Sequence, residues 1–200
     1  MDPRRHDVMN LPDIAIATAL AWGAGLRAYA VIFAVGLAGA MGWVELPGSL
    51  HVLEHPLVIG ASGFMTLVEF GADKLPWLDS IWDAVHSFIR IPAGAALAAM
   101  AFGDATNAVI VAAAILGGSL AAAMHTAKAG TRAALNLSPE PFSNWAASLS
   151  EDALVPLGLW LAVAHPLVFF VLLAAMLIAM VLLLKLLWRG VRRLVRSAAT

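Results

Sequence analysis

The chain has 200 residues, no cysteine, 12 Lys and Arg against 13 Asp and Glu, and a formal net charge of −1. Hydrophobic residues make up 62% and charged residues 12% of it, whereas soluble globular domains have about 45–50% apolar and about 25% charged residues. This composition argues against a soluble enzyme, a disordered chain and a nucleic-acid-binding protein, and the lack of cysteine excludes disulfides and Cys-type metal sites. The sequence therefore indicates an integral membrane protein with a length that allows one domain.

Four apolar runs follow a polar N-terminal tail. A helix that crosses a bilayer needs about 20 mainly apolar residues. The polar tail covers residues 1–12, and the four runs cover residues 14–43, 56–70, 91–124 and 153–188. Together the runs define a transmembrane domain over residues 13–188, which a basic C-terminal tail over 189–200 follows. We predict an all-α, polytopic transmembrane fold with four to six membrane segments, some of them short or broken.

In the first run, Arg27 lies about halfway along the apolar segment. A charge at this depth is expected to face protein or water rather than lipid. Its expected partners are the carboxylates of residues 69–83. In the alternative interpretation the span begins after Arg27, whose side chain then reaches the interface.

The second run ends in an unusually polar segment. Glu69 and Asp73 are four residues apart, so they share a helix face. Beyond Pro76, one face of a further helix carries a second set of polar side chains and the opposite face is apolar. That set consists of Asp79, Asp83, His86 and Arg90.

These polar residues allow three interpretations. The carboxylates and the imidazole could form a divalent-cation site, because hard cations bind carboxylate oxygens and His adds affinity for transition metals. The same groups could relay protons, since His titrates near neutral pH. Alternatively the segment is an interfacial amphipathic helix with solvated charges, in which Lys74 and Arg90 pair with carboxylates. The candidate metal ligands are Glu69, Asp73, Asp79, Asp83 and His86.

The third and fourth runs are interrupted. Turn-forming residues at 103–107 leave 92–102 too short to cross alone, so this part either extends backwards through 79–90 or forms half of a re-entrant hairpin. In the fourth run, Pro166 disfavours helix at His165. We therefore predict a short segment over 153–164 and a full span over 166–187.

A basic stripe follows the third run. Spacings of three, four and four residues place its members on one helix face, where they suit a phosphate, a carboxylate or the acidic residues 69–83. Alternatively they are the ordinary positive flank of a span. The stripe consists of His125, Lys128, Arg132 and Asn136. Further along, Ser150-Glu151-Asp152 is typical of a helix N-terminal cap.

Two short matches suggest an internal repeat. Residues 24–28 resemble 129–133, and His55-Pro56 recurs as His165-Pro166. The matches divide the transmembrane domain into halves at 13–104 and 105–188. Inverted repeats with broken helices are typical of transporters.

The C-terminal helix carries Lys185, Arg189, Arg192, Arg193 and Arg196 on one face. Such a helix favours the anionic lipids of the cytoplasmic surface. We therefore predict a cytoplasmic C-terminus. Arg4 and Arg5 favour the same side for the N-terminus, which requires an even number of crossings.

The polar blocks also resemble a known pattern, that of the bacterial membrane proteins grouped as the domain-of-unknown-function 4126 family. The resemblance covers roughly residues 20–185. It implies a multi-pass protein of the bacterial inner membrane but no substrate or reaction. The segments that carry it are 25–29, 68–76, 79–86 and 90–95, with His125, Lys128, Arg132, residues 136–141, Ser143-Asn144 and Glu151-Asp152.

From these patterns we expect a small transporter or channel that binds a cation or proton, and a homo-oligomer in contact with the lipid bilayer. The alternatives are a membrane-embedded metal-dependent enzyme acting on a lipid or phosphate headgroup, and a non-catalytic membrane organiser. No nucleophile or hydrolase motif favours the enzyme. The expected cofactor, if any, is a divalent cation. The expected substrate- or ion-binding residues are Arg27, Glu69, Asp73, Asp79, Asp83, His86, His125, Lys128, Arg132 and Asn136.

Overall fold

The structure, a computed structural model, describes residues 10–135 and 142–198; side chains are not described at 76, 77, 79, 80, 183, 184, 186–188 and 190–198. Over this part of the chain all regular structure is helical, which confirms the predicted fold class. A short 3-10 helix covers Gly48–Glu54. The α-helices are α1 (Leu11–Ala40), α2 (Pro56–Ala72), α3 (Pro76–Ala101), α4 (Asn107–Leu135), α5 (Phe142–Ala164) and α6 (Pro166–Ala198).

Four of the described helical segments are long and apolar enough to cross a membrane: α1, the part Ile81–Ala101 of α3, α4 and α5. Two shorter apolar segments are α2 and the part Pro166–Leu182 of α6. The protein is therefore a multi-pass membrane protein in contact with lipid.

Proline residues mark several helix starts. Pro56, Pro76 and Pro166 each occupy the first position of a helix, where the missing N–H would have no intrahelical partner. The predicted break at His165 is confirmed. Residues 92–101 belong to α3, which extends without interruption back to Pro76. The alternative that 92–102 form half of a re-entrant hairpin is therefore wrong.

The start of the fifth helix differs from the prediction. Helix α5 begins at Phe142 rather than at 153, so Ser150-Glu151-Asp152 lies inside the helix and does not cap it. In the sequence, Glu151 and Asp152 resemble the first turn of a helix, because negative charge is favourable at a helix N-terminus. In the structure these carboxylates have basic partners from other helices instead.

Helix α1 turns sharply at Arg27, whose backbone angles are φ −148° and ψ 78°. A Cβ atom added to Gly23 would lie 2.7 Å from Val31 Cγ2, although residues eight apart in a straight helix are about 12 Å apart. The helix is thus two arms, 11–26 and 28–40, folded back on each other. Each arm is about 20–24 Å long, short of the roughly 30 Å hydrocarbon core. The re-entrant hairpin therefore lies in α1, where it was not predicted, and α1 is not a single straight span although its total length and composition would allow one.

The first arm of α1 is the centre of the bundle. Its residues from Ala19 to Arg27 are all buried, and small residues let the neighbouring helices approach closely. A Cβ added to Gly25 would lie 2.5 Å from the carbonyl oxygen of Ala121 in α4. One added to Gly94 in α3 would lie 2.4 Å from Ala121 Cβ.

The contacts along the first arm fix the direction of its neighbours. Gly23 lies beside Val155 and Ile16 shares a cavity with Ala162, so α5 runs antiparallel to the arm. Helix α6 then turns back and packs Phe169 against Trp22. Following the helices in order places the start of α1 and the end of α6 at opposite ends of the bundle. The even number of crossings stays a prediction, because this order includes α2 and the apolar part of α6, which are shorter than a full span.

Helix α3 has its polar face inside and its apolar face outside. Asp83, His86 and Arg90 are buried, whereas Val85 is 57% and Phe88 84% exposed. This orientation suits contact with lipid rather than water. The interpretation as an interfacial helix with solvated charges is therefore wrong for the described side chains.

The structure does not decide whether the chain contains the suspected repeat. Arg27 lies in α1 and Arg132 in α4, while His55-Pro56 opens α2 and His165-Pro166 opens α6. Because α1 consists of two arms, whether α2 and α6 are equivalent depends on how these arms are counted. The division into halves at 13–104 and 105–188 therefore stays a prediction.

Candidate functional site

Ionisable side chains from the first five helices meet at the end of the bundle that contains the Arg27 turn, the α2–α3 connection and the start of α5. We call this set the buried ion network. Its described members are Arg27, Glu69, Asp73, Asp83, Arg90, Lys128, Arg132, Glu151 and Asp152.

Asp73 is the central carboxylate of the network. Its Oδ2 atom lies 2.9 Å from Arg27 Nη2, 3.0 Å from Lys128 Nζ and 3.6 Å from Arg132 Nη2. Burial raises the pKa of Asp73, but these three positive charges lower it by more, so its pKa is below the usual value. Asp73 is therefore held as an anion with no exposure to solvent.

Arg90 joins α3 to α2 and α4. Its two terminal nitrogens donate to Glu69 Oε1 and Asp83 Oδ1, and Nη1 lies 3.3 Å from His125 Nδ1. Because arginine only donates, Nδ1 must accept, and the ring proton is on Nε2. Nε2 lies 2.6 Å from Ser87 Oγ, which donates its own proton to the Asp83 carbonyl. These bonds fit a neutral His125.

The Lys128 ammonium is surrounded by oxygen atoms from four parts of the chain. It lies 3.0 Å from Asp73 Oδ2, 3.1 Å from Glu151 Oε2 and 3.7 Å from Asp83 Oδ1. It also donates to the carbonyl oxygen of Leu26, at 3.3 Å. That carbonyl is free for a side-chain donor because the helical backbone is interrupted at Arg27.

The network reaches the surface through α5. Glu151 Oε2 lies 3.3 Å from Arg132 Nη2, and Asp152 Oδ1 lies 3.0 Å from Arg27 Nε. The side chains of Glu151 and Asp152 are 13% and 28% exposed, while those of the basic partners are at most 2% exposed. The two carboxylates predicted to be a cap are thus the outer members of the network.

The structure brings most of the predicted binding residues together. Arg27 meets the carboxylates of residues 69–83, as expected, and Lys128 and Arg132 meet the same carboxylates. His125 contacts the network through Arg90. The side chain of Asp79 and all of Asn136 lie outside the described residues.

His86 belongs to an aromatic cluster beside the network. Its Nδ1 donates to the Trp82 carbonyl at 2.8 Å, and its ring stacks on Trp82 at a centroid distance of 4.0 Å. Tyr29 contacts the imidazole edge-on at 5.7 Å. We predicted that His86 and the carboxylates form one set of candidate metal ligands. These contacts place His86 with Trp82 and Tyr29 instead.

The described residues contain no group of three or more His, Asp or Glu side chains arranged to hold a metal ion. Glu69 and Asp83 bond to Arg90, and Asp73 bonds to Lys128. The geometry of the described carboxylates supports ion pairing with basic side chains rather than the candidate divalent-cation site.

Two serines of the site were not among the predicted binding residues. Ser148 Oγ accepts from Arg27 Nη2 at 3.0 Å, and Ser87 joins His125 to α3. The spacing of Ser87 from Asp83 and Arg90, four and three residues, placed it on the same face and was a usable signal. No comparable signal linked Ser148 to Arg27, which is far away in the sequence.

A family model described as "Domain of unknown function (DUF4126)" matches residues 14–186. No curated protein and no solved structure shows a significant similarity to the chain. The matched segment includes every described member of the buried ion network.

Proposed function

Since this chain belongs to the family of the domain of unknown function DUF4126, whose description supplies no activity, we propose its function from the buried ion network. The protein is a small membrane transporter or channel that moves a proton or a small cation. The observation that carries this proposal is a cluster of ionisable groups buried among the apolar helices of a multi-pass membrane protein.

The energetic cost of the network argues against a purely structural role. Each ion taken out of water costs several kcal/mol after relaxation, on the order of what its partner returns. Apolar side chains of similar volume stabilise a core at least as well. Ionisable groups inside membrane proteins therefore mark ion or proton pathways by default.

A continuous series of ion pairs leads inward from the surface. It begins at Asp152, which is partly exposed, and ends at Glu69, which is fully buried. Successive members lie within 3.7 Å of each other. The series is Asp152, Arg27, Asp73, Lys128, Asp83, Arg90 and Glu69.

All four carboxylates in this series have an oxygen atom without a hydrogen-bond partner. These buried oxygens, none of which has a partner among the described residues, are Glu69 Oε2, Asp73 Oδ1, Asp83 Oδ2 and Asp152 Oδ2. A carboxylate oxygen in this state can take a proton or bind a cation. These oxygens are compatible with a proton or a cation as the substrate.

The net charge of the described network is also compatible with a cation or a proton as the substrate. Its five carboxylates exceed its four basic side chains. Lys74 lies near enough to Asp152 and Asp73 to interact with them electrostatically, but it is only half-buried, and its ammonium donates to the Phe70 carbonyl. A cation or proton fits this balance better than a phosphate.

We place the protein in the bacterial inner membrane with the end of α6 in the cytoplasm. Lys185 and Arg189 on this helix are exposed, as required for contact with anionic lipids. The homo-oligomer stays a prediction.

The test is ion flux into liposomes that contain the purified protein, with a proton- or cation-sensitive dye inside. We expect flux above that of empty liposomes, strongly reduced in Asp83→Asn, where Arg90 keeps its bond to Glu69. Glu54→Gln is the matched control, because Glu54 pairs with exposed His51 away from the network. If liposomes that contain the protein showed the same flux as empty liposomes, the proposal would be overturned, and the alternative of a non-catalytic membrane organiser would be favoured.

A further inference from the structure

A cavity of about 490 Å³ lies between the two arms of α1, away from the Arg27 turn. We call it the hairpin cavity. Its lining residues on the two arms are equally far from the turn, at seven, eight and eleven residues on each side. They are Leu20, Ala19 and Ile16 before Arg27, and Ala34, Val35 and Ala38 after it. At 1.5 Å per residue, the cavity therefore begins about 10 Å from the turn.

The two arms touch near the turn and separate around the cavity. A Cβ atom added to Gly23 would lie 2.7 Å from Val31 Cγ2, so no space remains between the arms at this level. Further from the turn, the space between them is bounded by residues 156–164 of α5 and by residues 43–47, which follow α1. The hairpin cavity is thus a wedge-shaped space within a single helical hairpin, with α5 as its third wall.

The walls of the hairpin cavity are apolar. Each described residue that lines it is aliphatic, proline or tryptophan. A water molecule in a cavity needs about two to four polar partners, and a cavity without them stays dry. An ion or a polar headgroup needs such partners even more, because a charge away from water is costly. The chemistry of the walls therefore fits hydrocarbon.

The cavity is continuous with the surface of α5 that contacts lipid. Trp160 and Val163 line the cavity, and they are 56% and 45% exposed. Leu157, on the same helix, is 49% exposed and extends this apolar surface. Because α5 is long and apolar enough to cross the membrane, and lipid tails are as apolar as leucine, this surface contacts acyl chains. A neighbouring acyl chain therefore has direct access to the cavity.

Two tryptophans give the orientation of the cavity in the bilayer. Trp43 follows the end of α1, and Trp160 lies in the last turns of α5. Both line the cavity and are more than half exposed. Tryptophan is enriched at the headgroup level of a bilayer. A lipid at this position can keep its headgroup at the membrane surface while one of its tails extends between the arms of α1.

We propose that the hairpin cavity binds one acyl chain of a membrane phospholipid. An engineered apolar cavity of about 150 Å³ holds one benzene molecule. At the same packing, about 490 Å³ holds roughly three such molecules, which is close to the volume of one long acyl chain. The bound chain fills the space between the arms and α5. This inference goes beyond the proposed function, because none of the described residues that line the cavity belongs to the buried ion network.

The experiment measures the melting temperature of the purified protein in a steroid-based detergent, whose rigid body is a poor substitute for an acyl chain. Either dioleoyl phosphatidylcholine or dihexanoyl phosphatidylcholine is added, two lipids that share a neutral headgroup and differ in chain length. We expect a saturable rise of the melting temperature with the dioleoyl lipid. The dihexanoyl lipid should change it little, because its short chains fill only part of the cavity.

A variant that fills the cavity locates the binding site. Ala34→Phe places an aromatic ring in the cavity and should remove the response to the dioleoyl lipid. The matched control is Ala61→Phe, the same change at an exposed position of α2 away from the cavity, which should respond like the wild type. Without lipid, Ala34→Phe should melt above this control, because it fills an empty space. Ala38→Leu, a smaller change in the cavity wall, should weaken the response and covers the case that Ala34→Phe does not fold.

Three results would overturn the inference. The first is a wild type that does not respond to the dioleoyl lipid. The second is a response of folded Ala34→Phe or Ala38→Leu equal to that of the wild type, which would assign the effect to the outer surface. The third is a cross-linked dimer that Ala34→Phe abolishes, because a second copy of the chain would then occupy the cavity. None of these measurements involves ion flux, so each result leaves the proposed transporter untouched.

Discussion

Arg27 and Asp73 form an ion pair of 2.9 Å in which neither side chain is more than 1% exposed. The pair joins the turn of α1 to the end of α2, and the same carboxylate oxygen contacts Lys128 from α4. Because the turn breaks the helical backbone at Arg27, the pair fixes both the shape of the central hairpin and the position of the carboxylate that the Lys128 ammonium contacts.

Loss of the Arg27 charge should therefore destabilise the fold strongly. Arg27→Met leaves Asp73 and Asp152 with fewer partners, and removing one member of a buried ion pair costs about 3–5 kcal/mol. The free energy of unfolding, measured in mixed micelles with denaturant, should fall by about this amount. Arg189→Met, at an exposed position of α6, is the control and should leave it unchanged. Equal stability of both variants would mean that the turn does not depend on the charge.

Glycine substitutions test the packing of the central arm. Gly25→Ala places a methyl group 2.5 Å from the Ala121 carbonyl oxygen, and overpacking of this kind costs about 1–3 kcal/mol. The melting temperature should therefore fall. Gly60→Ala in α2 is the matched control, because nothing lies within 4 Å of its added Cβ. Alanine is favoured over glycine in a helix by about 0.5–1 kcal/mol, so this variant should melt slightly higher. A Gly25→Ala protein that melts like the wild type would contradict the close approach of α1 and α4.

Charge on the outer face of α3 tests its contact with lipid. Phe88 is 84% exposed within an apolar span, and a lysine near the centre of a membrane helix costs about 2.5–3.5 kcal/mol. Phe88→Lys should reduce the fraction of protein inserted into membranes, measured by carbonate extraction, whereas Phe88→Leu should not. Equal insertion of the two variants would indicate that this face contacts water.

The lowered pKa of Asp73 makes stability depend on pH. Burial raises this pKa, and the charges of Lys128, Arg27 and Arg132 lower it by more. A carboxylate with a lowered pKa stabilises the fold above its unfolded pKa and loses this contribution as the pH falls through the folded value. The free energy of unfolding should therefore decrease below about pH 4. Asp73→Asn, compared over the same pH series, should show a weaker decrease, and an identical decrease would assign the effect to other groups.

The sequence predicted the composition of the site better than the shape of the fold. Helical spacing placed Asp83, Lys128 and Arg132 on polar faces, and the burial cost of charge predicted that Arg27 faces protein. The turn at Arg27 was not predicted, since no proline lies near it and its only local signals are Gly23 and Gly25. Its position is set by ion pairs with residues far away in the sequence.

Glu151 and Asp152 show a second limit of prediction from sequence. A carboxylate pair at the edge of an apolar run fits both a helix start and an internal ion pair, because both environments favour negative charge. Arg27, Lys128 and Arg132, which approach from two other helices, identify Glu151 and Asp152 as members of internal ion pairs rather than of a helix start. The tertiary contacts decide the role.

The most direct test of the central claim is ion flux through liposomes containing a variant in which one pair of the network is neutralised on both sides. The double variant Glu69→Gln/Arg90→Gln removes both charges of one ion pair together. Asp83 still has the Lys128 ammonium as an ion-pair partner, at 3.7 Å. Replacing both partners is tolerated far better than removing one. We therefore expect a folded variant, verified by its melting transition, whose flux falls to that of empty liposomes while the wild type conducts. A folded variant with the flux of the wild type would contradict the account.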